Sequence, residues 1–534
     1  MKFTNTFRFT AALFLMGVMI SCEAGLDGLN DNPNAPSEVP LELVLPQAIE
    51  NSVDRLYSMD GLNGYVGAVW AQSYAKIQYT EEDRYDFAGR VTLINNIWES
   101  FYSTTLKDLY AIRDAAIATE NPNSQAIAEI LIAWNFQQIT DIWGDIPYSE
   151  AIQGLTDEGE ERIISPAYDP QSEVYSGILT TLEDAVNRID IGAAAPGQAD
   201  LIYGGDMSKW EKFGNSLRLR IYLRMSEVNE ADASAGISNI IDNGLPIFES
   251  HDDNAQLNYL AFPSNNPVNE FARTREDHKI SNTALSILAE LDDPRMRIYA
   301  VPMRTQDAEA TTEIYTDSRG LNYQGVINAS VDNSISLSEA STMGHYFMAP
   351  TSPGRIMTYN EVLFIRAEAA ARGWTTDIAE IQYTEAVEAS LSLYSQERIE
   401  PVLSGFAGDA AYNYQGFDES EFPEGITEQE ITDYLIQPEV LWDIGAGWSE
   451  GNQETLGIQK WLGLFGQGLE TWFEWRRLGY PELTPGPEAV LDEVPRRLSY
   501  PAIEQSLNNA NRQEAIQRQG ADNFLTRVWW DEPA

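Results

Sequence analysis

Between Gly61 and Gly89 the chain reads GLNGYVGAVWAQSYAKIQYTEEDRYDFAG, where glycines are interspersed with Trp70, Gln72, Tyr74, Tyr79 and Tyr85. Trp and Tyr each present a flat apolar face and a polar tip. A sugar ring has an apolar C–H face and a polar edge, so aromatics and an amide on one loop suit it. The stretch has no clean helical period, which points to a loop. These five residues are the candidate ligand contacts, although some must also anchor the loop in the core. Trp448 and Tyr414 are weaker candidates on the same grounds. Trp98, Trp134, Trp210 and Trp472 fall in helical periods and belong to the core.

Other chemistry finds little support. The sequence contains no G-x-S-x-G, H-E-x-x-H or Walker lysine loop. Gly445-Ala-Gly447-Trp-Ser-Glu-Gly451 approaches a dinucleotide turn, but its last glycine is one position late and no strand clearly leads in. A glycosidase needs two carboxylates about 5–10 Å apart in a cleft, and with 82 acids the sequence does not single out a pair. Asp157 to Glu161 lacks the alternating ligands of a calcium loop. His251, His278 and His345 are too far apart for a zinc motif and are expected at the surface or in caps. No catalytic residue, cofactor or metal is therefore expected.

The elements that must position the aromatics sit in a very acidic chain. It has 534 residues, 34 Lys+Arg against 82 Asp+Glu and a net charge of -48. Such a chain repels a phosphate backbone, which argues against nucleic-acid binding. With 43% hydrophobic and 11% aromatic residues it is nonetheless a folding chain. An acidic, Lys-poor surface suits a saline medium; a cationic ligand or counter-ion is the alternative.

Residues 1–21 read as a signal peptide: Lys2 and Arg8 precede the apolar run Ala11–Ile20, too short to span a bilayer. Ser21-Cys22 resembles a lipobox, and the rest of the chain has no cysteine to pair with Cys22. Cys22 is the expected lipidation site, and several acyl chains there would hold the protein on a membrane. Residues 22–40, rich in Asn, Pro, Asp and Gly, read as a tether, and residues 41–534 as one domain with no dividing linker.

That domain reads as mainly helical. Leu41–Met59 is helical with an interruption at Pro46. Val91–Ala118 carries Trp98, Tyr102 and Leu106 at i+4 steps, and Ser124–Trp143 ends at the turn Asp141–Ala151. In Asp200–Met225, Ser208 and Glu211 suggest a capping box, and Trp210, Phe213, Leu217 and Ile221 a buried stripe. Met357–Leu393 reads as two helices, with Gly373 as a left-handed cap and Asp377 capping the second. There Ala379, Tyr383 and Ala386 follow a tetratricopeptide second helix, without that repeat's first-helix Trp and Tyr.

Several segments in order resemble the SusD/RagB family of outer-membrane lipoproteins: Asn30–Pro40, Asp141–Ala151, Gly205–Arg224, Asn360–Trp374, Gln459–Leu483 and Val494–Asp531. The resemblance implies a SusD-like fold in which degenerate tetratricopeptide helix pairs support a loop-rich lobe. It also implies a surface lipoprotein that captures a nutrient, by preference a glycan or oligosaccharide, and a SusC-like TonB-dependent barrel as partner. Oligopeptide binding, a scaffold role and a surface hydrolase are the alternatives. Residues after Cys22 only weakly resemble the export signal of such lipoproteins, so the inner leaflet is the alternative location.

Overall fold

The computed structural model describes residues 41–155, 162–261, 263–304, 313–331, 335–406 and 421–532. Cys22, the signal segment, the tether, Asp157–Glu161 and Tyr414 lie outside the described residues. The helices are α1 (Leu41–Tyr57), α2 (Val91–Glu99), α3 (Lys107–Ala118), α4 (Pro122–Trp143), α5 (Gln171–Arg188), α6 (Met207–Arg224) and α7 (Glu230–Asp242). They continue with α8 (Asn282–Glu290), α9 (Tyr359–Ala371), α10 (Ala379–Ser392), α11 (Gln396–Leu403), α12 (Glu428–Leu435), α13 (Glu450–Gly463), α14 (Gly468–Leu478) and α15 (Asn509–Gln519). Shorter helical turns join them.

The strands form two-stranded antiparallel ribbons: β1 (Tyr74–Lys76) with β3 (His278–Ile280), β2 (Ala255–Leu257) with β6 (Gly354–Met357), and β4 (Ile314–Thr316) with β5 (Asn322–Gln324). The chain is thus mainly α, as the periodicity predicts.

Helix α4 is the centre of the packing. The Asn121 side chain accepts from the Ser124 N–H, and Pro122 occupies the first turn, where a missing N–H is harmless. From Ala126 to Trp143 every residue is buried, so the helix is sheathed on all sides, chiefly by α3, α5 and α6. Gly144 ends it at φ +86°.

Local expectations are met unevenly. The stripe Trp210, Phe213, Leu217 and Ile221 is buried, and Gly373 takes φ +75°. Helix α1 runs through Pro46 without interruption. Asp206, not a Ser208–Glu211 box, caps α6, accepting from both the N–H and the hydroxyl of Ser208. Asp377 does not cap α10; it pairs with Arg366 at 2.9 Å. Between α2 and α3 the helix widens into a π turn at Ser100–Leu106, where Arg55 of α1 donates to the Ser100 carbonyl at 3.0 Å.

A buried ionic network ties α6, α9, α13 and α14 together. Arg220 and Glu361 meet at 2.6 Å, Arg477 and Glu368 at 2.6 Å, and Lys460 and Glu474 at 2.7 Å. Arg224 reaches Asp141 at 3.6 Å and also pairs with Glu470.

Candidate ligand-binding site

The glycine-rich stretch folds as a buried π turn at Leu62–Gly67, a short helical turn at Ala68–Trp70 and then β1. Glycine is needed at Gly67 because a Cβ there would lie 2.4 Å from the backbone of Gly468 and Leu469 on α14. That close approach drives Trp70 into the core. Its ring packs edge-on to Trp472 at 5.0 Å and to Phe87 at 5.5 Å.

Beyond β1 the chain turns through Gln78 and Tyr79 and folds back under itself. The Arg84 N–H donates to the Thr80 carbonyl at 2.9 Å, and that of Asp86 to the Glu81 carbonyl at 2.8 Å. The turn is pinned from below. The Lys76 N–H and the Asn328 amide both donate to the Asp83 carboxylate, at 3.0 and 2.9 Å. Burial pushes the Asp83 carboxyl up to about 6 even so. Gln72, Tyr79 and Tyr85 all take φ between +53° and +64°, a region bulky L-residues rarely occupy. Three such residues in one stretch mark a backbone held by its surroundings in a costly shape, as at binding sites.

The turn and the β1–β3 ribbon enclose a cleft of about 620 Å³, within the range of small-ligand sites. Tyr65, Lys76, Tyr79, Arg90, Arg275 and Asp277 are among its walls. Lys76 lies over the Tyr65 ring at 4.5 Å, and the Tyr65 hydroxyl donates to Asp60 at 3.0 Å. Lys76 also pairs with Glu82 at 2.6 Å, and Arg90 pairs with the same carboxylate.

The five aromatic and amide candidates part company here. Trp70, Gln72, Tyr74 and Tyr85 are buried. The Gln72 amide donates to the Thr484 carbonyl at 2.6 Å and accepts from Thr283 at 2.9 Å, and Tyr74 packs on Phe465 at 5.3 Å. These four pack into the core, none of them lines the cleft, and their faces are not open to a ligand. Tyr79 is different: it is 67% exposed, the one exposed aromatic among the described residues, and it stands on the cleft wall. Trp448 is half-buried, with Arg372 4.9 Å over its ring.

Sequence reasoning missed Tyr65, Lys76 and Arg90, although they lie in or beside the same glycine-rich stretch. It could not have found Arg275 and Asp277, which strand pairing brings in from some 200 residues away (Lys76 opposite His278).

The histidines also correct the expectation of surface or capping positions. His278 and His345 are buried and His251 is partly so. His278 Nε2 lies 2.7 Å from the Gly64 carbonyl, and burial holds its imidazole down to about 3. Among the described residues no group of three or more His, Cys, Asp or Glu is arranged to hold a metal ion.

A second concavity of about 540 Å³ lies between α2, the turn after α4 and the segment Ile503–Leu507. Ile163, Ile164 and Leu507 line it, with Trp98 only 5% exposed behind them. Its walls also carry the half-buried Tyr102 ring with Ser103, Lys107, Glu150 and Glu504, but no exposed aromatic such as Tyr79.

The family model described as "Starch-binding associating with outer membrane" matches residues 33–501. The chain belongs to this SusD-like family. Among solved structures it is similar to a chitin-binding protein at 25% identity and TM-score 0.73, covering 92% of this chain and 99% of that one. It is also similar to a SusD homologue from Bacteroides fragilis (24%, TM-score 0.70, 93% and 100% covered). A chitin-binding SusD homologue from Flavobacterium johnsoniae matches at 22% and TM-score 0.71, with 92% and 99% covered. Nothing among curated proteins matches. The fold is SusD-like and the family is one of outer-membrane nutrient binding. No helix among the described residues is long and apolar enough to cross a membrane.

Proposed function

We propose that this protein is a lipoprotein, anchored through Cys22 and facing outward from the outer membrane, that captures a glycan and hands it to a SusC-like TonB-dependent barrel. The observation that carries the glycan reading is Tyr79. A Tyr ring open to solvent and held in a left-handed backbone on a polar cleft wall is built to stack on a sugar face while neighbouring groups hydrogen-bond its edge. The chitin-binding relatives support the same class of ligand. Capture needs no catalytic residue, and transport energy would lie with the barrel.

The test is gentle detergent purification of the tagged lipoprotein from its native membrane, followed by native mass spectrometry. A co-purifying large β-barrel is the expected result, and a retained small mass would begin to identify the glycan. A protein that emerges alone, with neither barrel nor ligand, contradicts the transport reading.

A further inference from the structure

We propose that a small buried cavity walled by Arg355 binds chloride, or another monovalent anion of halide size. The cavity, of about 20 Å³, lies where β6 meets α1, α4, α6 and the start of α14. That is room for one small ion or one water. Arg355 on β6 is 5% exposed, and among the described residues no carboxylate pairs with it. Its Nη2 donates to the Tyr346 hydroxyl at 2.6 Å. The Tyr346 and Tyr394 rings stand 5.4 and 5.6 Å from the guanidinium carbon, and Nε has no partner. Burial pushes the phenols of Tyr57 and Tyr346 up, so at neutral pH neither supplies a countercharge. Arginine keeps its charge in such a place, and a buried charge without a counter-ion is strongly destabilising.

The other walls suit an anion. Gln467 is 8% exposed, and its Oε1 has no partner. An amide can turn end for end to match its neighbours, so this one can present its NH2 to the cavity. Gln138 on α4 brings a second amide. Trp134 and Phe473 are apolar walls, where attraction between charges is strengthened.

Arg220 and Glu470 also line the cavity, but their charges are matched elsewhere. Their network sets Arg220, Arg224, Lys460, Arg476 and Arg477 against Asp141, Glu361, Glu368, Glu470 and Glu474. Arg372 and Glu227 add one charge of each sign. The network therefore balances without Arg355, whose charge is the excess at the cavity wall. A water would join Arg355 Nε to Gln467 Oε1 and leave that charge uncompensated. A chloride accepts from Nε and from the amides and cancels it.

Crystals of the mature chain soaked in NaBr test this by bromide anomalous scattering. The expected result is a bromide peak in the cavity, within hydrogen-bonding range of Arg355. Thermal melts then compare NaCl with sodium gluconate, whose anion is too large to enter, both at about 0.2 M so that general screening is equal. Chloride should raise the melting temperature by about 2–4 °C over gluconate. Arg355→Met removes the charge and should abolish that difference. Gln467→Glu should abolish it too, because a carboxylate on the wall takes the ion's place, and it serves where the first variant fails to fold. A cavity holding only water, or wild-type melts that are equal in the two salts, overturns the proposal. A chloride effect that survives in either folded variant places the ion elsewhere and overturns it as well.

Discussion

Tyr79 and Trp70 stand nine positions apart in one stretch and do opposite jobs. Tyr79→Ala should weaken oligosaccharide binding by about 1–2 kcal/mol, or roughly 5- to 30-fold, with little change in melting temperature. Trp70→Ala should instead destabilise the fold by about 3–5 kcal/mol, since it empties a site packed by Trp472 and Phe87. Calorimetry and thermal melts of the two variants separate the roles. The composition of the stretch marks it as unusual, but which ring faces out depends on Gly67 meeting α14 and on β1 pairing with β3. Neither contact leaves a local signal.

The histidines make a pH prediction at the same scale. Burial holds His251, His278 and His345 down to about 4, 3 and 4 from an ordinary 6.5. The unfolded chain therefore takes up protons below pH 6.5 that the folded chain refuses. Stability from this source is complete above 6.5 and is lost as pH falls towards the folded values. Asp54 and Asp83 act in the opposite sense, because burial pushes both up to about 6 and the folded chain protonates them first. The acid loss should accordingly open between pH 6.5 and 6 and be partly offset below that. A melting temperature constant from pH 7 to 5 would contradict it.

At the scale of elements, charge locks helices that apolar packing alone would leave free to slide. Glu368 on α9 accepts from both terminal nitrogens of Arg477 on α14, at 2.7 and 2.6 Å, and from Arg372 at 2.9 Å. Glu368→Gln removes one of the two carboxylates from each guanidinium, Arg477 keeping Glu474 and Arg372 keeping Glu227, and urea denaturation should show a loss of about 1–3 kcal/mol. Gly67→Ala drives a methyl group into the α14 backbone and should cost about 1–3 kcal/mol by the same assay.

The helices themselves were largely legible, because their apolar stripes repeat at the helical period and caps such as Asn121 and Ser281 stand where propensity puts them. Less was legible where a tertiary partner decides. The π turn at Ser100–Leu106 is held by Arg55 from another helix, and Asp377 is drawn from a cap to Arg366. Arg220 and Arg224 stand four positions apart on α6, but nothing local names their carboxylates, which come from α4, α9 and α14.

On the scale of the whole molecule, the net charge of -48 sets the behaviour in salt. Repulsion among carboxylates destabilises the compact state, and the screening length falls from about 30 Å at 0.01 M to about 3 Å at 1 M. The melting temperature should rise with NaCl over that range, and a flat profile would count against a surface suited to a saline medium.

The central claim is that Tyr79 receives a sugar at this cleft, and a crystal structure of the mature chain with a bound neutral oligosaccharide tests it most directly. The account predicts a pyranose ring stacked on the Tyr79 face, beside the β1–β3 ribbon. A sugar seated in the apolar groove by Trp98 instead, with Tyr79 untouched, would contradict it.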